Sequence, residues 1–302
     1  MRLLVTGARG QLGSELRRCI ASLQAEIGAV PPDYEGAFVD YVDRDELDIT
    51  QRDAVESWFA GRRYDLVINC AAMTDVDRCE TDEDEAFRVN AGGPSNLARA
   101  TARQNAKILQ VSTDYVFSGS EPGARLEGDV THPASAYGRS KLAGELAVMK
   151  ENPRYFIVRT AWLYGYSGRN FVKTMRSLGK THDEVMVVGD QRGNPTSAND
   201  LAYEILKIAL TEDYGVYHCT GKGVCSWAEF AAAIMEGSGL ECRVVPVTSA
   251  QYKELNPRSA DRPKNSSLEN RHLANTIGDE MRFWREALDE YLMHLPEMGK
   301  VE

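Results

Sequence analysis

The sequence has few of the features that mark membrane, secreted or nucleic-acid-binding proteins. Its apolar N-terminal run ends at Thr6, which is too short for the core of a signal peptide, and no long apolar stretch follows. Lysine and arginine number 35 against 45 aspartates and glutamates, and the net charge of -10 disfavours nucleic acid or an anionic membrane as the main partner. We therefore expect a cytoplasmic protein.

Cysteine chemistry is also poorly represented. The six cysteines are scattered, form no C-x-x-C pair and have no histidines nearby at the spacing of zinc ligands. We expect them to be reduced and mostly structural, and we expect no metal site.

What the sequence does contain is a regular alternation of short apolar strands and helical segments over its first half. With 302 residues, 43% of them hydrophobic, the chain can bury a full core as one large α/β domain or two unequal lobes. The alternation predicts a right-handed parallel sheet. Beyond Arg159 the order becomes less regular, which favours a second, smaller lobe.

A glycine-rich segment follows the first predicted strand. Gly7, Gly10 and Gly13 have the spacing G-x-x-G-x-x-G at the start of a helical pattern. The first glycine permits a tight turn, the second lets backbone N–H groups approach a pyrophosphate, and the third lets the helix pack closely on the strand. An ordinary glycine turn is the alternative. Because strand, turn and helix occur in the required order, we predict a dinucleotide site to which Gln11 and Leu12 also contribute.

These patterns together predict a fold and its division. The fold class is α/β, a Rossmann-type doubly wound parallel sheet with a smaller C-terminal substrate-binding lobe. We assign residues 1–160 to the dinucleotide-binding domain, with segments at roughly 196–220 returning to it, and residues 161–302 mainly to the lobe.

The end of the second predicted strand carries conflicting signals for cofactor choice. A carboxylate such as Asp43 at this place usually accepts from the adenine ribose hydroxyls, whereas an arginine such as Arg44 can pair with a 2′-phosphate. Both NADPH and NADH therefore stay open. Asp48 either binds the adenine amino group or belongs to a turn. The remaining predicted cofactor contacts are Ile49, Ala71 and Ala72.

Two residues one helical turn apart suggest acid catalysis. Tyr137 and Lys141 lie on the same face of a predicted helix, where an ammonium can stabilise the phenolate of a tyrosine whose pKa is ordinarily about 10. Chance is the alternative for such a pair. Thr113, at the carboxyl end of the fourth predicted strand, can add a hydrogen bond to a substrate carbonyl beside Tyr137.

The motifs of the first half resemble those of the extended short-chain dehydrogenase/reductases. They are the glycine segment, Asn69 to Ala72, Ser112 to Phe117, and Tyr137 with Lys141. Later segments at 159–165, 190–196 and 262–268 carry the resemblance over nearly the whole chain. Within the superfamily they are most similar to the dTDP-4-dehydrorhamnose reductase family.

This resemblance implies a reaction and roles for the residues. It implies NAD(P)H-dependent reduction of the C4 ketone of a dTDP-linked 4-dehydro-6-deoxy sugar, for bacterial cell-surface polysaccharide synthesis. Tyr137 would protonate the ketone oxygen, Lys141 would lower the pKa of that tyrosine and hold the nicotinamide ribose, and Thr113 would orient the carbonyl. The implied substrate contacts are Thr113, Asp114, Trp162, Asn170, Arg262 and Asn265.

Three related kinds of protein are alternatives to this reductase. Related dehydratases carry T-D-E after the fourth strand, whereas here Tyr115 follows Asp114, so the base for elimination is missing. An epimerase uses the same threonine, tyrosine and lysine and is harder to exclude. A non-catalytic regulatory subunit with the same fold predicts erosion of those three positions, which has not occurred. Some relatives bridge a dimer through magnesium, but the matching place is Asn199; monomer and homodimer both stay open.

Overall fold

The computed structural model of the chain describes residues 1–257 and 259–295. Its centre is a six-stranded sheet in which every strand runs parallel to its neighbours. The strand order across the sheet is β6-β5-β4-β3-β1-β2. In chain order these strands are β1 (Arg2–Thr6), β2 (Phe38–Val42), β3 (Leu66–Asn69), β4 (Lys107–Thr113), β5 (Tyr155–Thr160) and β6 (Gly215–His218).

Helices connect the strands and form the second lobe. The α-helices of the described residues are α1 (Gln11–Ser22), α2 (Arg52–Ala60), α3 (Val76–Thr81), α4 (Glu83–Phe87), α5 (Gly93–Arg103), α6 (Ala136–Glu151), α7 (Phe171–Gly179), α8 (Ala198–Leu210), α9 (Trp227–Gly237), α10 (Ser249–Leu255), α11 (Arg271–Thr276) and α12 (Trp284–His294). A π-helical segment at Arg88–Gly92 joins α4 to α5, and 3₁₀ turns occur at Pro32–Tyr34 and Asp114–Val116.

Short strand pairs lie outside the main sheet. The longest, Glu184–Val188 with Arg243–Val247, is parallel and lies in the second lobe. The others pair two residues each: Gln24–Ala25 with Gly28–Ala29, Leu163–Tyr164 with Thr196–Ser197, and Arg192–Gly193 with Cys225–Ser226.

The main sheet is covered on both faces because its strands are apolar on both. In β1, Leu3 and Val5 belong to the core that includes Leu16 of α1 and Ile205 of α8. Leu4, between them, belongs to a separate core with residues of α2 and α5. Alternate side chains of a strand point to opposite faces, so this division is that of a doubly wound sheet. The predicted fold class is confirmed.

The second lobe has its own core. Its large buried side chains include Tyr164, Phe230 and Tyr291, which come from the segment after β5, from α9 and from α12. Strand β6 follows α8 and returns to the main sheet beside β5. The domain boundaries predicted from the sequence stay a proposal.

A buried ion pair joins α6 to the sheet. The Arg159 guanidinium of β5 donates to both carboxylate oxygens of Glu145 at 3.0 and 2.8 Å. The side chains are 5% and 0% exposed. The Ser112 hydroxyl of β4 donates to the same carboxylate. The helix that carries Tyr137 and Lys141 is therefore anchored to two strands at once.

Within the described residues, no helix has the length and apolar character needed to cross a bilayer.

Candidate active site

A cleft of about 880 Å³ opens at the carboxyl ends of β1 to β5. The strands end there at Thr6, Val42, Asn69, Thr113 and Thr160. Open parallel sheets bind ligands at this edge, because the strand ends and the following loops leave a crevice between helices of opposite faces.

Most of the residues predicted from the sequence line this one cleft. Those that do are Gly7, Gly10, Gln11, Leu12, Asp43, Arg44, Asp48, Ile49, Ala71, Ala72, Thr113, Asp114, Tyr137, Lys141, Trp162 and Asn170. Arg262 and Asn265 do not line it.

The glycine segment forms a turn that only glycine fits. Gly7 has φ +66°, and a Cβ there would lie 2.7 Å from the backbone N of Ala71. A Cβ on Gly13 would lie 2.4 Å from the Gly7 carbonyl oxygen. Gly10 caps α1 without any side-chain hydrogen bond, so the first N–H groups of that helix face the cleft unpaired by a side chain. These features fit a dinucleotide pyrophosphate at the helix N-terminus.

Past the end of β2, the Asp43 carboxylate lies beside two arginines, Arg9 and Arg44. Asp43 accepts hydrogen bonds from the backbone N–H groups of Arg9 and Arg44 at 3.1 and 2.9 Å. The Arg9 guanidinium pairs with Asp45 at 2.7 Å, and the Arg44 guanidinium lies 3.6 Å from Asp48. Both arginine side chains are more than half exposed. The conflict predicted for Asp43 and Arg44 is thus present as a carboxylate beside accessible guanidinium groups.

Tyr137 and Lys141 both face the cleft from α6, but their immediate partners differ from the expectation. The Lys141 ammonium is 4% exposed and donates to the Val111 carbonyl at 2.7 Å. Burial lowers the pKa of Lys141 to about 8, against the opposing effect of Glu145. Burial raises the pKa of Tyr137 above its ordinary value, and the nearby Thr113 hydroxyl partly offsets this effect. Activation of the phenol by the lysine charge stays a prediction.

Thr113 and Asp114 stand side by side at the end of β4. The Thr113 hydroxyl donates to Asp114 Oδ1 at 2.8 Å and accepts from the Tyr115 backbone N–H at 3.3 Å. Burial raises the pKa of Asp114 to about 6, although the neighbouring Thr113 and Ser266 hydroxyls act to lower it. Its Oδ2 is buried and accepts no hydrogen bond of regular geometry from the described residues.

An aromatic wall closes the side of the cleft that belongs to the second lobe. The Trp162 and Trp227 rings are stacked, with centroids 3.5 Å apart and an angle of 6° between planes. Phe171 and Phe230 also line the cleft. In the sequence, Trp227 and Phe230 have the helical spacing of core residues. Phe230 does belong to the core, and that spacing held no signal that α9 also faces the cleft.

Three predicted substrate contacts are held by other groups. The Asn170 amide donates to the Gln11 side chain at 3.1 Å and to the Gly165 carbonyl at 2.8 Å. Arg262 lies 3.3 Å from an oxygen of Asp77, and the Asn265 amide donates to two carbonyls of the 121–123 loop. Their roles toward a substrate stay predictions.

The place where some relatives hold magnesium is filled by hydrogen bonds and an ion pair. The Asn199 amide donates to Glu15 at 3.0 Å and accepts from the Glu26 backbone N–H at 2.7 Å. The neighbouring Asp200 pairs with Arg282 at 2.6 Å. In the described residues no three histidine, cysteine or acidic side chains are grouped so as to hold a metal ion.

The model of the RmlD substrate-binding domain family matches residues 1–296. The chain belongs to this family. This chain is 39% identical over 291 residues to the spore coat polysaccharide biosynthesis protein SpsK of Bacillus subtilis, and the match covers 96% of both chains. The resemblance predicted from the motifs is therefore confirmed.

Solved structures of similar proteins match this chain over nearly its whole length. A dTDP-4-dehydrorhamnose reductase from Clostridium acetobutylicum is 47% identical, with a TM-score of 0.89 and coverage of 97% of this chain and 99% of that one. A dTDP-4-dehydrorhamnose reductase from Bacillus anthracis, solved in complex with NADP, is 38% identical with a TM-score of 0.88, covering 97% and 98%. The prediction of an NAD(P)-dependent oxidoreductase is confirmed.

Proposed function

We propose that this protein reduces the C4 ketone of dTDP-4-dehydro-6-deoxy-L-mannose to give dTDP-L-rhamnose, with NADPH or NADH as reductant. The observation that carries the proposal is the position of the Tyr137 phenol. It faces the cleft beside the Thr113 hydroxyl, in the same crevice as the glycine turn of β1. An acid and a second hydrogen-bonding group beside a dinucleotide site are the groups that carbonyl reduction requires.

Each part of the cleft has a task in this reaction. The turn at Gly7 and the N-terminus of α1 would hold the pyrophosphate, and Asp43 with Arg44 would meet the adenine ribose. The reduced nicotinamide supplies the hydride when it is bound. Tyr137 donates the proton to the ketone oxygen, and Thr113 fixes the orientation of the carbonyl. Lys141 keeps a positive charge below pH 8, the pKa that burial gives it.

The other side of the cleft suits a sugar. The stacked rings of Trp162 and Trp227 offer a flat apolar surface of the kind that packs against a sugar ring. Asp114 Oδ2 lacks a regular hydrogen-bond donor and would accept from a sugar hydroxyl. Arg262 is paired with Asp77, so this ion pair would have to break before the guanidinium could bind a diphosphate.

The second candidate function is the conversion of a different nucleotide sugar, because the relatives carry different names. SpsK is named for spore coat polysaccharide synthesis, and the two structural relatives are named for dTDP-4-dehydrorhamnose reduction. Another nucleotide-sugar reductase or an epimerase would use the same Tyr137, Thr113 and Lys141. A regulatory subunit without activity is disfavoured because all three side chains are present and line the cleft.

The decisive assay mixes the protein with the 4-keto-6-deoxy sugar nucleotide and follows the absorbance of reduced cofactor. We expect absorbance to fall with at least one of NADPH and NADH, and the product to be the 4-hydroxy sugar nucleotide. Unchanged absorbance with both cofactors would contradict reduction, and a product formed without net cofactor consumption would indicate an epimerase. Tyr137→Phe should lose at least roughly 10²-fold in turnover, since it lacks the acid proton, while it keeps cofactor affinity.

A further inference from the structure

Arg169 differs in its partners from the other arginines that line the cleft, Arg44 and Arg78. The Arg44 guanidinium lies 3.6 Å from an oxygen of Asp48. The Arg78 guanidinium lies 3.6 Å from an oxygen of Asp82. In the part of the chain that the structure describes, the Arg169 side chain is exposed and its guanidinium forms neither an ion pair nor a hydrogen bond. Its positive charge faces the cleft uncompensated and is available to an anionic ligand.

The loop at 165–170 that carries Arg169 is fixed by hydrogen bonds on both sides of that residue. The Lys173 ammonium donates to two carbonyls of the loop at 2.6 and 2.9 Å. The Asn170 amide donates to a third carbonyl, that of Gly165, at 2.8 Å. Because the backbone is already ordered, a ligand that binds the Arg169 guanidinium has to immobilise only the side chain, which keeps the entropic cost of binding low.

The same loop packs against the N-terminus of α1, where the cofactor pyrophosphate is proposed to bind. A Cβ on Gly168 would lie 3.5 Å from Gln11 Cγ, and a Cβ on Gly165 would lie 3.6 Å from Gln11 Cβ. The Asn170 amide donates to the Gln11 side-chain oxygen at 3.1 Å. Gln11 is the first residue of α1, and no side chain caps this end of the helix. Arg169 therefore brings a positive charge of the second lobe close to the partial positive charge of the helix N-terminus.

We propose that Arg169 binds the pyrophosphate of the dinucleotide cofactor, together with the glycine turn. The inference rests on the proposed place of the cofactor and adds a contact from the second lobe to it. Each phosphate of the pyrophosphate carries a negative charge, for which the N-terminus of α1 offers roughly half a positive charge. A guanidinium supplies a full charge and two parallel N–H donors for phosphate oxygens. The sugar nucleotide also contains a diphosphate, but the contacts of the loop with Gln11, a member of the glycine segment, favour the cofactor.

The test measures the dissociation constants of NADPH and NADH by calorimetry, with the full chain and without sugar nucleotide. Arg169→Gln should raise both constants roughly tenfold, since a charge-assisted hydrogen bond is lost and the pyrophosphate is common to both cofactors. Arg169→Lys keeps the charge but not the paired donors, so it should recover part of the affinity. The control is Arg243→Gln, which removes the same charge from an exposed arginine of the second lobe that does not line the cleft, and it should leave both constants unchanged.

Two further ligands identify the diphosphate that Arg169 binds. ADP-ribose keeps the cofactor pyrophosphate but lacks nicotinamide, and Arg169→Gln should bind it roughly tenfold more weakly than the unmodified protein does. The compound dTDP carries the diphosphate of the sugar nucleotide, and its affinity should be the same in both proteins, which also shows that the variant is folded. Unchanged affinity for both cofactors, or a loss confined to dTDP or to NADPH, would overturn the proposal. The titrations need no turnover, so they decide the role of Arg169 even if the protein does not reduce the proposed substrate.

Discussion

Removal of the Arg159 guanidinium should destabilise the protein strongly. In Arg159→Met, the Glu145 carboxylate would remain fully buried with the Ser112 hydroxyl as its one remaining side-chain donor from this cluster. Breaking a buried ion pair by removing one partner costs about 3–5 kcal/mol, because the other charge stays in a medium that solvates it poorly. Two hydrogen bonds, at 3.0 and 2.8 Å, are lost with the guanidinium.

The assay is equilibrium unfolding in urea, with a matched pair of controls. Arg52→Met removes an ion pair on the surface of α2, in which Arg52 is 57% exposed and lies 2.9 Å from Glu56. Exposed pairs contribute about 0–1 kcal/mol, so this variant should unfold close to the unmodified protein. The double variant Glu145→Leu/Arg159→Met should recover most of the loss, since no unpaired charge is left. If Arg159→Met and Arg52→Met lost equal stability, the assignment of the buried pair as an anchor of α6 would be refuted.

Three further changes test the site itself. Gly7→Ala should abolish cofactor binding in a titration, because its Cβ would lie 2.7 Å from the backbone N of Ala71. The control is Gly36→Ala, which has the same φ of +66° but no atom within 4 Å of the added Cβ, and it should cost only about 1–2 kcal/mol of stability. Arg44→Gln should raise the KM for NADPH roughly tenfold and leave that for NADH unchanged, since it removes a charge-assisted hydrogen bond to a 2′-phosphate; equal effects on both cofactors would contradict this role. Lys141→Met should abolish turnover yet raise the free energy of unfolding at pH 7 by on the order of 1–3 kcal/mol, because burial lowers the pKa of Lys141 from 10.5 to about 8. Between those two pH values the unfolded chain binds one more proton than the folded chain, so the free energy of unfolding of the unmodified protein should rise from pH 8 to 10.5. The difference in stability between Lys141→Met and the unmodified protein should shrink over the same range. A constant difference would show that the lysine charge is not its source.

Much of the cofactor half of the cleft could be predicted because its signals are local. The apolar residues of β1, the glycine spacing after it and the four-residue interval from Tyr137 to Lys141 each report a short stretch of backbone. Parallel pairing then brings the strand ends to one edge without further information.

The substrate half depended on contacts between distant parts of the chain. The pairing of Arg262 with Asp77 joins residues 185 positions apart, and nothing near either residue in the sequence indicates it. The Lys141 ammonium donates to the Val111 carbonyl. The helical spacing of Tyr137 and Lys141 indicates only that they share a face of α6, and it does not indicate this contact with β4. Trp227 has the spacing of a core residue, and only the stacking on Trp162 reveals its place in the cleft wall.

The late return of β6 to the sheet has a consequence for synthesis on the ribosome. Until Gly215–His218 emerges, β5 is an outer strand whose last five residues are apolar or inward-facing and whose backbone hydrogen bonds on that side have no partner. Such an edge pairs readily with strands of other chains. Nascent chains of this protein therefore carry an unpaired strand edge from the synthesis of Thr160 until that of Gly215–His218, and release of the chain within this interval yields a product prone to aggregate.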